Sequence, residues 1–159
     1  MKKLLLFLTP ILILLGGCNT KPSFDTSLLI GKWYAYDIEY EDGIESTTSL
    51  ALVFANEKDV YMEAKFNVDG DYFGQITGQG EYKVSGNTIR MNFPDSQIKF
   101  SVNKDFFDTT AEYNLALKEL KKELLKDNEP WSETKVISIS AEKLIVEEDG
   151  DLIEFDKFQ

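Results

Sequence analysis

Apolar side chains occupy every second position in a series of short runs along this chain, and this alternation limits the possible folds more than any other feature. The clearest run is DVYMEAKFNV, in which one face carries Val60, Met62, Ala64, Phe66 and Val68. Because successive side chains of a β-strand point to opposite faces, such alternation predicts a strand with one buried face. Eight further runs are typical of strands: KWYAYDIEY, TSLALVFA, YFGQITGQGEYKV, TIRMNF, QIKFSV, SETKVISIS, KLIVEE and LIEFDKF.

Short turns between these runs predict how the strands connect. Residues that tolerate positive φ stand in the turns at 41–43, 68–71, 85–87 and 148–151. An antiparallel meander of this size tends to close on itself, because closure removes its edges. The sequence therefore predicts a mainly β fold, an antiparallel up-and-down barrel of about eight to ten strands over residues 28–159. A two-sheet sandwich is the alternative, since both architectures use tight turns.

Three glycines interrupt one long strand-like run from Tyr72 to Val84. Gly74, Gly78 and Gly80 lie within it, and glycine inside a strand marks a bulge or a bend. We therefore predict one long strand with bulges or a sharp coil.

One segment has a helical period instead of alternation. Over residues 109–127, apolar side chains recur three or four positions apart, at Tyr113, Leu117, Leu120 and Leu124. Thr109 followed by Glu112 forms a capping-box pattern at the start of the segment, and Pro130, just after the segment, would end a helix there. The pattern predicts one inserted amphipathic helix. Its expected role is to buttress the barrel, and the alternative is that it gates a cavity or docks a partner.

The first 17 residues have the three parts of a secretory signal peptide. Lys2 and Lys3 form the basic region, residues 4–15 form the apolar region, and Gly16 and Gly17 form a small-residue cleavage zone. The apolar region is shorter than the ~20 residues that a helix needs to cross a hydrocarbon core. We predict a signal peptide at 1–17 that is removed.

The sequence Leu15-Gly16-Gly17-Cys18 resembles the lipobox of bacterial lipoproteins. The resemblance implies a diacylglyceryl thioether on the Cys18 sulfur, cleavage before Cys18 and acylation of the new amine. Each buried CH₂ contributes ~0.8 kcal/mol to partitioning, so two or three chains anchor a protein permanently. The resemblance thus implies a lipid-anchored protein of the bacterial cell envelope, at the outer membrane and on its periplasmic or surface face. The alternative is a secreted protein with an incidental cysteine.

Residues 18–27 are predicted to be a tether between the lipid and the barrel. The segment is polar, contains Pro22 and has no periodic apolar pattern. Its one aromatic residue, Phe24, offers the alternative that part of the segment packs on the domain.

Two short motifs resemble those of lipocalin-like domains. Gly31-Lys32-Trp33 is similar to the Gly-x-Trp that opens the first lipocalin strand, and residues 80–89, GEYKVSGNTI, are similar to a hairpin of small bacterial lipocalin-like lipoproteins, many from Bacteroidetes. The resemblance implies a lipocalin-like barrel in which Gly31 and Trp33 are structural and the Trp closes one end. Gly80 and Tyr82 belong to the second motif, and the resemblance implies that Tyr82 lies in the core.

Net charge limits the partners of the predicted mature chain. Removal of residues 1–17 leaves 142 residues with a formal net charge of −13. Binding to phosphate requires Lys and Arg, so nucleic acid is excluded as a partner, and Arg90 is the sole arginine. An anionic lipid surface would also repel the chain, so contact with the membrane is predicted through the lipid alone.

The residue types exclude several kinds of catalysis. The chain has no His, and its one Cys is the predicted lipidation site, which excludes Ser-His-Asp, Cys-His and His-bearing zinc sites. No P-loop or dinucleotide fingerprint is present, and no cofactor is predicted. A carboxylate-dependent hydrolase remains as one hypothesis, because 28 acidic residues can supply a suitable pair. We expect the protein not to be an enzyme.

Two acidic turns, at 67–71 and 149–151, resemble part of a calcium-binding loop. Neither has the 12-residue spacing of an EF-hand or its distal bidentate Glu. Both are explained as hairpin turns, so no metal site is predicted.

Aromatic and methionine side chains are the candidate lining or core of the barrel, namely Tyr34, Tyr36, Met62, Phe66, Tyr72, Met91, Phe93 and Phe100. An eight-stranded barrel is just wide enough to be filled by its own side chains or to hold one small ligand. The first hypothesis is therefore a barrel that binds a small apolar or amphipathic ligand. The second is a filled barrel that docks an envelope protein. A cavity of a few hundred Å³ would favour the first.

The lipobox leads to a direct prediction for Cys18→Ala. Without its thiol, the chain cannot accept a diacylglyceryl group, so it should leave the membrane fraction and lose incorporation of radiolabelled palmitate. Fractionation of labelled cells measures both. A variant that stays in the membrane and carries the label would contradict lipidation at this residue.

Overall fold

The computed structural model describes residues 21–126, 131–148 and 150–158, so the predicted signal peptide and Cys18 lie outside the described residues. Nine strands and one α-helix are present in these ranges. They are β1 (Gly31–Glu41), β2 (Ile44–Phe54), β3 (Asp59–Val68), β4 (Asp71–Ser85), β5 (Thr88–Asn92), β6 (Ile98–Val102), α1 (Thr110–Lys126), β7 (Ser132–Ile139), β8 (Lys143–Glu148) and β9 (Asp151–Lys157). Within the same ranges, no helix is both long and apolar enough to cross a membrane.

Eight of the nine strands close into a ring. Each pairs antiparallel with the next in the order β1, β2, β3, β4, β5, β7, β8, β9, and β9 pairs back onto β1. The ninth strand, β6, pairs with β4 beyond the end of the short β5. The predicted mainly β, up-and-down barrel with one inserted helix is therefore confirmed, and the sandwich alternative is wrong because all nine strands belong to one closed sheet.

The turns adopt the conformations that their residues favour. Asp42 and Asp69 have φ of 53° and 49°, and each precedes a glycine that also has positive φ. Both turns are two-residue hairpin loops, and positive φ at both positions matches the right-handed twist of the flanking strands. These two turns lie at one end of the barrel, here called the mouth.

The opposite end, here called the base, is closed by Trp33. Its side chain is fully buried, and its Nε1–H donates a hydrogen bond to the Leu29 carbonyl oxygen at 2.7 Å. The Lys157 Nζ lies 4.8 Å from the centre of the Trp33 ring and donates to the Leu28 carbonyl oxygen at 2.8 Å. Gly31 has φ of +130°, and a Cβ there would lie 2.7 Å from Lys157 Cε. Glycine at position 31 thus leaves room for the Lys157 side chain, which packs over the Trp33 indole at the start of β1.

Strand β4 is one long strand with a β-bulge, as its glycines predicted. A β-bulge at Phe73 shifts its register against β3, between the pairs Phe66–Gly74 and Asn67–Tyr72. A Cβ at Gly80 would lie 2.0 Å from the Asn92 carbonyl oxygen. Glycine at this position therefore lets the backbones of β4 and β5 approach closely.

The helix begins with the predicted capping box. The Thr109 N–H donates to Glu112 Oε2 at 3.1 Å, and the Glu112 N–H donates to Thr109 Oγ1 at 3.2 Å. The half-buried face of α1 consists of Tyr113, Ala116, Leu117 and Leu120. The Lys121 Nζ lies 5.9 Å from the Phe100 ring, so α1 packs beside β6. The side chain of Leu124 and the predicted stop at Pro130 lie outside the described residues.

The segment before β1 docks onto the barrel earlier than the predicted boundary at residue 28. The Ser23 N–H donates to the Gly86 carbonyl oxygen at 2.7 Å, and Phe24 packs against the core. The Oγ–H and N–H of Ser27 both donate to the Asp25 carboxylate, and these hydrogen bonds lower the pKa of Asp25. The predicted tether to Ser27 is therefore too long, because Phe24 gains burial by folding back.

Gly80→Ala tests the close approach of β4 and β5. The new Cβ would meet backbone rather than a movable side chain, so we expect a loss of about 1–3 kcal/mol in the free energy of unfolding, measured with chemical denaturant. Gln79→Ala, at the exposed neighbouring position, is the control and should stay within about 0.5 kcal/mol of the wild type. Equal stability of the two variants would contradict the packing described for Gly80.

Candidate functional site

The interior of the barrel is the first candidate site. Its walls are the inward positions of the strands, and the register places Trp33, Leu52, Met62 and Gly78 on this inner face. Near the base, the fully buried side chains of Phe54, Val60, Ile89 and Leu144 fill the barrel around Trp33. The remaining space therefore lies above this layer, toward the mouth.

A cavity of about 50 Å³, lined by described residues, lies in this space. Its lining is largely apolar, with Ser132, Thr134 and Glu148 as its polar members. The Ser132 Oγ–H already donates to the Met91 carbonyl oxygen at 3.3 Å. The apolar lining consists of Leu50, Leu52, Phe54, Met62, Ile89, Met91, Phe93, Leu144, Val146, Ile153 and Phe155.

The size of the cavity limits what it can hold. Pockets for drug-sized ligands measure roughly 300–1,000 Å³, whereas one water needs roughly 10–15 Å³ on this scale. About 50 Å³ accommodates a few waters or a very small apolar molecule. Phe93 accounts for much of the filling, because its Cδ1 would lie 3.0 Å and 2.9 Å from a Cβ at Gly78 and Gly80. The ring occupies the space that the two glycines leave open.

The structure divides the predicted lining residues into two groups. Met62, Met91 and Phe93 line the cavity. Phe66 and Phe100 share the inner face nearer the mouth, because their partners on β4 are Gly74 and Ile76.

Tyr34, Tyr36 and Tyr72 face outward, so the prediction that they belong to the lining or core is corrected. Trp33 faces inward, and alternation then turns Tyr34 and Tyr36 outward; Tyr36 is 64% exposed. Tyr34 packs against Phe158 with ring centres 5.6 Å apart on the outer face. The bulge in β4 leaves Tyr72 outside as well, 3.4 Å from the Ser101 hydroxyl.

Tyr82 lies in the core and anchors a loop. Its Oη–H donates to the Asn56 carbonyl oxygen at 2.7 Å, and its ring meets Phe54 edge to face at 4.8 Å. Burial, together with the nearby charge of Glu57, raises the pKa of the Tyr82 hydroxyl. This tyrosine is therefore held as a neutral structural donor.

The acidic turn at 67–71 has a structural role in the hairpins. Asp69 Oδ1 accepts a hydrogen bond from the Glu45 N–H at 2.9 Å, which ties the turn to β2. Among the described residues, no three His, Cys, Asp or Glu side chains are grouped so that they could hold a metal ion. The second turn includes Asp149, which lies outside the described residues.

Sequence reasoning missed two features. Lys157 completes the base, and its position in phase with Ile153 and Phe155 is a signal that could have placed it inside the barrel. The second feature lies at the mouth, where β1 continues to Glu41 beyond the end of its pairing with β9. There, partial desolvation and the like charges of Asp37 and Glu41 raise the pKa of Glu39.

These observations define a class of protein. A closed, eight-stranded, up-and-down antiparallel barrel is the architecture of lipocalins. The strand ring, the Gly-x-Trp entry into β1 and the closed base give this chain a lipocalin-like barrel, as its motifs predicted.

Comparison with solved structures finds chains that are similar to this one. A crystal structure of a lipocalin-like protein from Bacteroides uniformis ATCC 8492 is similar over 82% of this chain and 99% of that chain, with 20% identity and a TM-score of 0.46. A crystal structure of an uncharacterized protein from Bacteroides eggerthii DSM 20697 is similar over 82% and 99%, with 19% identity and a TM-score of 0.48. No protein-family model and no curated protein matches the chain.

Phe93→Ala tests whether this ring fills the barrel. Its removal should lower the free energy of unfolding by about 3 kcal/mol and leave an apolar cavity. An apolar cavity of this kind takes up benzene, so benzene should raise the melting temperature of the variant but not that of the wild type. Phe106→Ala, at a 39% exposed aromatic residue that packs against Phe73, is the matched control and should gain no response to benzene. A benzene response in the wild type would show that the interior is already open.

Proposed function

We propose that this protein is a non-catalytic, lipid-anchored module of the bacterial cell envelope that acts through its outer surface rather than by carrying a ligand. The observation that carries the proposal is the cavity of about 50 Å³, which is far below the volume of a drug-sized ligand. Because a barrel filled by its own side chains has no room for a ligand, its outer surface is the part that is available for function.

The lipid anchor would also fix the orientation of the barrel. The five residues from Cys18 to Pro22 span at most about 18 Å when extended. Ser23 is bound to Gly86, in the turn that joins β4 and β5 at the base. The base would therefore face the membrane, and the mouth with its acidic residues would face away from it. This orientation keeps the negative charge away from anionic lipids.

The absence of catalysis is supported by residue types. The sequence contains no His, and its single Cys is the proposed lipidation site. General acid–base chemistry would then depend on carboxylates with pKa values near neutrality. The pKa of Glu39 is raised, and this carboxylate lies on the exposed mouth rather than in the cavity.

A second candidate function is the binding of a very small apolar molecule. Met62 and Met91 both line the cavity, and methionine side chains are flexible enough to move aside. A ligand that displaced them would enlarge the space available to it.

Native mass spectrometry separates the two candidates. The full chain, purified in detergent from membranes of its own host, should have the mass of the lipidated polypeptide alone, because the filled interior holds no cargo. Protein passed through a denaturation and refolding cycle provides the reference mass. A small molecule that is bound in several independent preparations, and absent from the refolded reference, would overturn the filled-barrel proposal in favour of ligand binding.

A further inference from the structure

The wall of the barrel has an open seam between β1 and β9. Their ladder consists of the pairs Trp33–Lys157 and Tyr34–Asp156 and ends there. Beyond it, β1 continues from Ala35 to Glu41 with β2 as its ladder partner, and β9 pairs with β8. Seven residues of β1 therefore present a strand edge toward the seam.

The register shows which backbone groups face this seam. The Phe158 N–H donates to the Lys32 carbonyl oxygen at 2.8 Å, so the polar backbone groups of Lys32 point toward β9. In an extended strand these groups alternate from one edge to the other. The N–H and C=O groups of Tyr36, Ile38 and Tyr40 consequently point into the seam, whereas those of Ala35, Asp37 and Glu39 point toward β2.

The same three residues expose apolar side chains on the outer face. Tyr36 is 64% exposed, Ile38 45% and Tyr40 72%. Leu152, across the seam on β9, is 67% exposed. A strand edge bordered by exposed apolar side chains is a template for another strand, and soluble proteins normally cover or disrupt such edges.

The charges beside the edge determine what can pair with it. Asp37 and Glu39 are exposed and lie on the inner side of β1, between the outward tyrosines. Partial desolvation, together with the like charges of Asp37 and Glu41, raises the pKa of Glu39. Pairing of two copies through this edge would bring acidic side chains close together, which is destabilising. A basic strand would relieve the repulsion.

We propose that the β1 edge from Ala35 to Glu41 binds an extended, basic peptide segment of an envelope protein by strand addition. In such a complex, backbone hydrogen bonds provide affinity and alternate side chains provide specificity. Lysine or arginine would lie beside Asp37 and Glu39, and apolar residues would pack beside Tyr36, Ile38 and Tyr40. The inference names the partner of the proposed interaction module, and therefore rests on the proposed function.

A synthetic peptide, Lys-Val-Lys-Val-Lys-Val-Lys, tests this pairing with the detergent-purified full chain. Binding should slow hydrogen exchange of the Tyr36, Ile38 and Tyr40 amides by at least about tenfold, with no change at Ala35 and Asp37, which face β2. Methylation of alternate peptide nitrogens should weaken binding at least about tenfold, because it removes the backbone donors. Equal binding of the methylated peptide, protection at other strands, or no binding would each overturn the proposal.

Two variants test the edge and its charge separately. Ile38→Pro removes an N–H that faces the seam, so the β2 ladder should persist while peptide binding is lost. The double variant D37K/E39K keeps the backbone and should reverse the charge preference, so that Glu-Val-Glu-Val-Glu-Val-Glu binds better than the lysine peptide. The control D105K/E119K makes the same change in net charge at exposed positions elsewhere and should keep the lysine preference. If Ile38→Pro does not fold, the charge reversal decides, and an unchanged preference would contradict the proposal.

A crosslinking experiment in the host separates failure of this inference from failure of the proposed function. A photoreactive residue placed at Tyr36 should form adducts, whereas one at Tyr61 should not. Tyr61 is a matched control because it is also an exposed tyrosine, but its strand is paired on both sides, with β2 and β4. A third photoreactive position is Leu115, an exposed residue of α1. Adducts from Tyr61 or Leu115 without adducts from Tyr36 would overturn the seam as the docking site and leave an interaction module. The absence of adducts from all three positions would contradict the proposed function itself.

Discussion

The buried indole of Trp33 is the contact on which the rest of the barrel depends. It fixes which face of β1 points inward, and because side chains alternate, a slip of one residue would expose the entire apolar set of the strand. Its hydrogen bond to Leu29 and its contact with Lys157 hold the segment before β1 and the last strand to one point. The two ends of the barrel sequence, far apart in the chain, therefore meet at a single side chain.

Large and small residues are matched across the interior above this point. Gly78 and Gly80 leave room on β4, and the ring of Phe93 enters it. Such complementarity gives a core its density, and a change on either side is felt on the other. The cavity is therefore small because glycines on β4 are matched by the large Phe93 ring just after β5, and not because all inward side chains are large.

Alternation, turn chemistry and helical periodicity were enough to predict the strands and the helix and to favour a closed barrel over a sandwich, because the elements depend on local patterns such as DVYMEAKFNV and Asp42-Gly43. The direction of individual aromatic residues was harder to predict. In the first strand, one alternating face carries Trp33 and the other carries Tyr36, so alternation alone does not show which face is buried. The Gly-x-Trp motif is what places Trp33 inside. The direction of the Tyr72 side chain depends on the bulge at Phe73, and that bulge arises from the pairing of β4 with β3. The volume of the cavity and the end of the β1–β9 ladder depend on distances between strands, which no single run encodes.

The segment between β5 and β7 has a consequence for how such a barrel can diversify. β5 and β7 pair directly, so the ring closes without β6 and α1, which form an excursion from it. The entropy of closing a loop rises only slowly with its length. Evolution could therefore lengthen, shorten or exchange this appendage at little cost to the cylinder that carries it.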